Sequence, residues 1–129
     1  MPAVEMERAT YLIVLKQVLI AHDLADTIVE HDPGARVILA QTCADAMRQM
    51  EGVTENVVLA FLAVSPDHLA GNALVDALTV RGARTVLMGE DAETRGETPA
   101  WWVLERPFTT ETVLNLLRRV LTSQGTGLA

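Results

Sequence analysis

Five short apolar runs recur along the chain, and each except the fourth is followed by a stretch whose apolar residues return every three or four positions. The runs are Tyr11 to Leu15, Arg36 to Ala40, Asn56 to Val64, Thr85 to Met88 and Trp101 to Leu104. They are rich in Val, Ile and Leu and do not alternate with polar residues, which is the pattern of strands buried on both faces. The intervening stretches carry helical stripes: Ile20, Leu24 and Ile28 after the first run, Ala46, Met47 and Met50 after the second, Leu74, Val75 and Leu78 after the third. A last stripe runs through Val113, Leu114, Leu117, Val120 and Leu121. Only Asp91 to Pro99 departs from the rhythm: it is polar, contains Gly96, and shows little helical period.

Punctuation supports these boundaries. His31-Asp32-Pro33-Gly34 ends the first helix, since proline cannot continue it and glycine accepts the turn. Thr42 is placed to cap the second helix, with Asp45 in its first turn. Ser65-Pro66 reads as the start of the third and Gly82 as its stop. Thr109 or Thr110 caps the last. Strands that are apolar on both faces and separated by helices imply a parallel sheet covered on both sides. Right-handed crossovers make this a three-layer α/β/α sandwich. Five strands in this length predict the flavodoxin-like order 2-1-3-4-5, with the fourth helix shortened or missing.

The chain's 129 residues suffice for one domain, expected over 11–122, with an N-terminal extension over 1–10 and a flexible tail over 123–129. Acidic residues outnumber basic ones 17 to 10, which disfavours nucleic acid and anionic membranes as partners. The most apolar stretch, Tyr11 to Ala21, contains Lys16 and Gln17 and is too short to span a bilayer. Cys43 is the only cysteine, reads as a buried structural thiol, and fits a reducing cytoplasm.

In a sheet of this kind, ligands bind beyond the carboxyl ends of the strands. Those ends hold little chemistry here. Lys16-Gln17-Val18-Leu19 contains no glycine, so no phosphate-binding loop follows the first strand. His22, His31 and His68 are scattered and read as solvated residues. Ser65 has no recognisable base beside it. Asp67-His68-Leu69-Ala70-Gly71 is one residue short of the cobalamin signature Asp-x-His-x-x-Gly and follows the wrong strand. Arg118-Arg119 reads as cations near a helix C-terminus. Neither a cofactor nor a metal is expected.

Asp45-Ala46-Met47, the strand Asn56 to Phe61, and Arg106-Pro107-Phe108 occur in an order and spacing that resembles the receiver domains of two-component response regulators, over about Tyr11 to Leu121. The resemblance implies a phosphoacceptor aspartate on the third strand and an acidic pair after the first that holds Mg²⁺. It also implies a Thr or Ser after the fourth and a Lys, followed by a cis proline, after the fifth. This chain departs at each point. Phe61 stands at the phosphoacceptor, Leu15 and Lys16 at the acidic pair, Gly89 near the Thr/Ser, and Arg106 at the lysine. Val103 stands where the family's switching aromatic sits, and the stretch from Gly89 to Arg106 is shorter than usual.

The resemblance is therefore to a pseudo-receiver: a phosphorylation-independent interaction module in signal transduction, without catalytic activity. Its partner is expected to be another protein, such as a histidine kinase or a regulator, or a second copy of the chain. Two alternatives stay open: a receiver that is still phosphorylated, with Asp67 as acceptor if the third strand is shifted, and a small flavodoxin-like enzyme or ligand-binding domain. Adjacent Trp101 and Trp102 must point to opposite faces of their strand. They either fill space left by the shortened fourth helix or, with Val103, anchor a partner at the sheet edge.

Overall fold

The computed structural model describes residues 9–53, 56–106 and 108–126. Five strands form one parallel sheet: β1 (Ala9–Val14), β2 (Arg36–Ala40), β3 (Asn56–Leu62), β4 (Arg84–Leu87) and β5 (Trp102–Val103). Five helices connect or follow them: α1 (Val18–His31), α2 (Cys43–Met50), α3 (Ala73–Val80), α4 (Glu90–Arg95) and α5 (Thr110–Thr126). The strand order is β2-β1-β3-β4-β5, as the alternation of apolar runs predicts.

Because successive strand residues face opposite ways, β1 divides its side chains between two cores. Tyr11, Ile13 and Leu15 join Leu59, Phe61 and Val86 under α1 and α5. Leu12 and Val14 join Ala60, Leu62 and Leu87 under α2, α3 and α4. Central β1 and β3 are buried on both faces, which explains why their sequences show no polar alternation.

The capping residues act largely as their chemistry dictates. Asp45 N–H donates to Thr42 Oγ1 at 3.1 Å, and Thr112 N–H donates to Thr109 Oγ1 at 3.1 Å. Gly82 follows α3 with φ +81°, a conformation that glycine adopts without cost. The guanidinium of Arg81 donates to the carbonyls of Val53 (2.9 Å) and Met50 (3.2 Å), satisfying acceptors where α2 ends.

Several expectations need correction. Ser65 caps only a 3₁₀ turn over Pro66–His68, and α3 starts later, at Ala73. The stronger cap is Asn72, whose Oδ1 accepts from Leu74 N–H (2.9 Å) and Val75 N–H (3.2 Å). The segment after Gly89 is a short helix where little helical signal was expected. Its first turn holds Glu90, Asp91 and Glu93, which suit the positive end of a helix dipole, and one alanine suffices for its buried side. β5 is reduced to two residues, with Trp101 in an antiparallel bridge to Thr98. At the ends, β1 already begins at Ala9, and α5 continues through 123–126. The remainder of the expected extension (1–8) and tail (127–129) lies outside the described residues. Arg119 is thus inside α5 rather than near its end. Cys43 is half-buried, at the first position of α2, rather than fully buried.

Candidate functional site

β1, β3 and β4 end side by side, and the parallel ladder continues one residue past each. Leu15 N–H donates to Ala40 O (2.9 Å), Ala63 N–H to Val14 O (3.1 Å) and Met88 N–H to Leu62 O (3.0 Å). This rim is where a ligand of such a sheet would sit. One groove of about 420 Å³ lies there between the ends of β1, β2 and β3, lined by Leu15, Lys16, Gln17, Thr42, Cys43 and Val64 among others. Among the described residues, no carboxylate lines it. A second, of about 300 Å³, lies between β3 and β4 and reaches Gly89, Glu90 and Asp91.

Phe61 pairs with Ile13 on one side and Val86 on the other, and its side chain is 0% exposed. It is among the largest fully buried side chains described. The ring belongs to the core beneath α1 and α5, together with Leu15. The position that resembles a phosphoacceptor is therefore filled by packed hydrocarbon. Lys16 is exposed. Among the described residues, no three His, Cys, Asp or Glu gather where they could hold a metal ion.

Gly89 has φ +117° and ψ 170°, and no atom lies within 4 Å of where a Cβ would be. The obstacle to a Thr or Ser here is the backbone conformation, which side-chain-bearing residues rarely adopt, and not lack of room. Arg106 turns to α4. Its Nε donates to Glu93 Oε2 at 2.9 Å and a terminal nitrogen to Oε1 at 3.1 Å, a bidentate pair. Its backbone N–H adds a third bond to Oε2 at 3.0 Å. The hydrogen bonds from Arg106 hold the Glu93 carboxyl below the usual carboxylate range, and Glu93 in turn raises the guanidinium's affinity for its proton. Pro107 lies outside the described residues; Phe108 is half-buried against the α1–α5 core.

Of the five pocket positions that the receiver resemblance implies, only Leu15 and Phe61 meet in one core. Arg106 is engaged by Glu93, a partner 13 residues away that no local motif announces. Asp67 lies beyond the end of β3, on the 3₁₀ turn, and its carboxylate pairs with Arg95. His22, His31 and His68 are exposed, as expected.

The tryptophans divide between the faces. Trp101 packs on the α2–α3–α4 side and its Nε1–H donates to Gly96 O at 3.0 Å. Trp102 packs on the α1–α5 side, with the Arg119 guanidinium 5.2 Å from a ring centroid. Both are half-buried, whereas Val103 is 6% exposed. The apolar surface that stands out elsewhere is the start of α1, where Val18, Leu19 and Ile20 are exposed, Leu19 to 81%.

The sequence matches no protein-family model and no curated protein. Solved structures do match. SdrG from Sphingomonas melonis Fr1 is 26% identical, with a TM-score of 0.64 over 89% of this chain and 98% of that one. A beryllofluoride-activated conformation of SdrG, given as from Pseudomonas melonis Fr1, is 27% identical, with a TM-score of 0.62 over 87% of this chain and 94% of that one. A CheY-like receiver domain protein from Methanospirillum hungatei JF-1 shares the fold at 17% identity, with a TM-score of 0.67 over 93% and 98% of the two chains. The structural neighbours are response-regulator receiver domains, and this chain, with its β2-β1-β3-β4-β5 parallel sheet, has their fold.

Proposed function

We propose that the chain is a receiver-like interaction module in signal transduction that docks another protein without being phosphorylated. The observation that carries this reading is Phe61, fully buried at the end of β3 where a receiver would present its acceptor carboxylate. An aspartyl phosphate needs a carboxylate nucleophile, and a phenyl ring offers none. Mg²⁺ needs oxygen ligands, and Leu15 and Lys16 provide a buried hydrocarbon and a positive charge. No helix among those described is long and apolar enough to cross a membrane. The partner is a kinase, a regulator or a second copy of the chain, held in part through the half-exposed Trp101 and Trp102 on the β5 edge. The module has no catalytic activity of its own.

The test is exposure to acetyl phosphate with Mg²⁺, and separately to beryllofluoride with Mg²⁺, read by intact mass and amide chemical shifts. SdrG, which has a beryllofluoride-activated conformation, is the positive control. No phosphoryl adduct and no Mg²⁺-dependent shift are expected. An adduct mapped to any aspartate, Asp67 included, would overturn the reading.

A further inference from the structure

The segment joining β4 to β5 is held by charge more than by burial. α4 is six residues long and buries one side chain, Ala92. A helix so short does not persist in water on its own. Yet three carboxylate–guanidinium pairs tie it, and the turn after it, to separate parts of the fold. Arg95 pairs with Asp67 on the 3₁₀ turn. Glu93 accepts from the Nε and one terminal nitrogen of Arg106 and from its backbone N–H, beyond the end of β5. Glu97 holds Arg119 of α5 at 2.6 Å.

Glu97 also accepts the Val103 N–H at 3.3 Å. Leu104 N–H donates inward to Leu87 O, so the alternation of the strand turns the Val103 N–H to the free edge of the sheet. The same carboxylate that grips α5 thus covers a backbone donor on an edge strand. Edges left bare recruit other strands.

We infer that the Asp67–Arg95, Glu93–Arg106 and Glu97–Arg119 pairs form an electrostatic latch, whose opening releases α4 and uncovers the β5 edge without unfolding the rest of the domain. Without the pairs, α4 itself keeps Ala92 as its buried anchor, while the turn after it keeps the Thr98–Trp101 bridge and the Trp101–Gly96 hydrogen bond. The pairs are open to solvent: Arg106 and Glu93 are 56% and 22% exposed, and the other two pairs are more open on the carboxylate side. Dissolved salt therefore screens them, whereas it leaves the apolar contacts of β1 and β3 intact. Closed and open states differ in the environment of both tryptophans, since Trp101 is bonded to Gly96 and Trp102 lies under Arg119. The inference stands whether or not the chain is phosphorylated, because the pairs join residues of the chain itself.

Amide hydrogen exchange of the full chain tests it, at low and at molar salt, with tryptophan fluorescence alongside. In wild type, the hydrogen-bonded amides of 93–96 should be protected at low salt and exchange about threefold to tenfold faster at high salt, while β1 and β3 amides keep their rates. Glu93→Gln and Glu97→Gln should show the faster rate already at low salt. Should either variant not fold, the salt series on wild type still decides. The latch is overturned if the amides of 93–96 are unprotected at low salt, if salt and the substitutions leave their rates unchanged, or if β1 and β3 accelerate in step with them.

Discussion

Replacing Phe61 measures whether the end of β3 is a filled core position or a dormant site. The ring is wholly buried between Ile13 and Val86, under α1 and α5. In Phe61→Ala, the lost transfer of the ring from water is worth about 2 kcal/mol. The space it vacates adds about 24 cal/mol for each Å³ that neighbours fail to fill. Strands on both sides constrain collapse, so the total should reach about 3–5 kcal/mol. Against a typical stability of about 5–15 kcal/mol, that is a large share. The midpoint of thermal unfolding should drop by roughly 10–20 °C, and the urea midpoint should fall with an unchanged slope. Phe61→Asp should be at least as damaging, because the strand neighbours Ile13 and Val86 offer a carboxylate neither a cation nor a side-chain donor. Melting both variants with and without millimolar Mg²⁺ completes the assay. If Phe61→Asp melts like wild type and gains stability from Mg²⁺, the reasoning fails: the residue would then top an open acid pocket.

Other expectations follow from single contacts. Asn72→Ala removes the acceptor for two α3 amides and should cost about 1 kcal/mol in chemical denaturation, with Asn72→Asp close to wild type. Glu93 has its folded-state affinity for protons lowered, so its contribution is present above the unfolded carboxylate pKa and is lost as pH falls through the lower folded value. Protection of α4 amides should therefore weaken in acid, below the usual carboxylate range, and Glu93→Gln should remove the part of that dependence that Glu93 supplies. Trp102→Ala should weaken association with the partner, or with a second copy, by about 2 kcal/mol in sedimentation while circular dichroism stays native. Native spectra with undiminished binding in both Trp101→Ala and Trp102→Ala would move the docking face elsewhere, with the exposed start of α1 next to be tested.

The layered fold was legible in the sequence because burial on both faces leaves short unbroken apolar runs, and their length and flanking turn residues mark them as strands rather than buried helix. Runs such as Leu12-Ile13-Val14 and Leu59-Ala60-Phe61 cannot alternate when helices cover both sides of the sheet. That β3 carries a phenyl ring and no carboxylate near its end was legible too, since it depends only on which residues stand there. Tertiary structure decided the rest. Whether Ser65 or Asn72 begins α3 turned on how far the chain travels before it can pack, which propensity does not record. The ring of Phe61 closes the core beside Leu15 through the register of β1 on β3, a pairing between segments distant in sequence. The pairs Glu93–Arg106, Asp67–Arg95 and Glu97–Arg119 join residues 13, 28 and 22 positions apart. Charges at such separations carry no periodic signature. Only the folded chain brings each carboxylate within reach of its arginine, and so the tether on α4 appears in the structure and not in the string of residues.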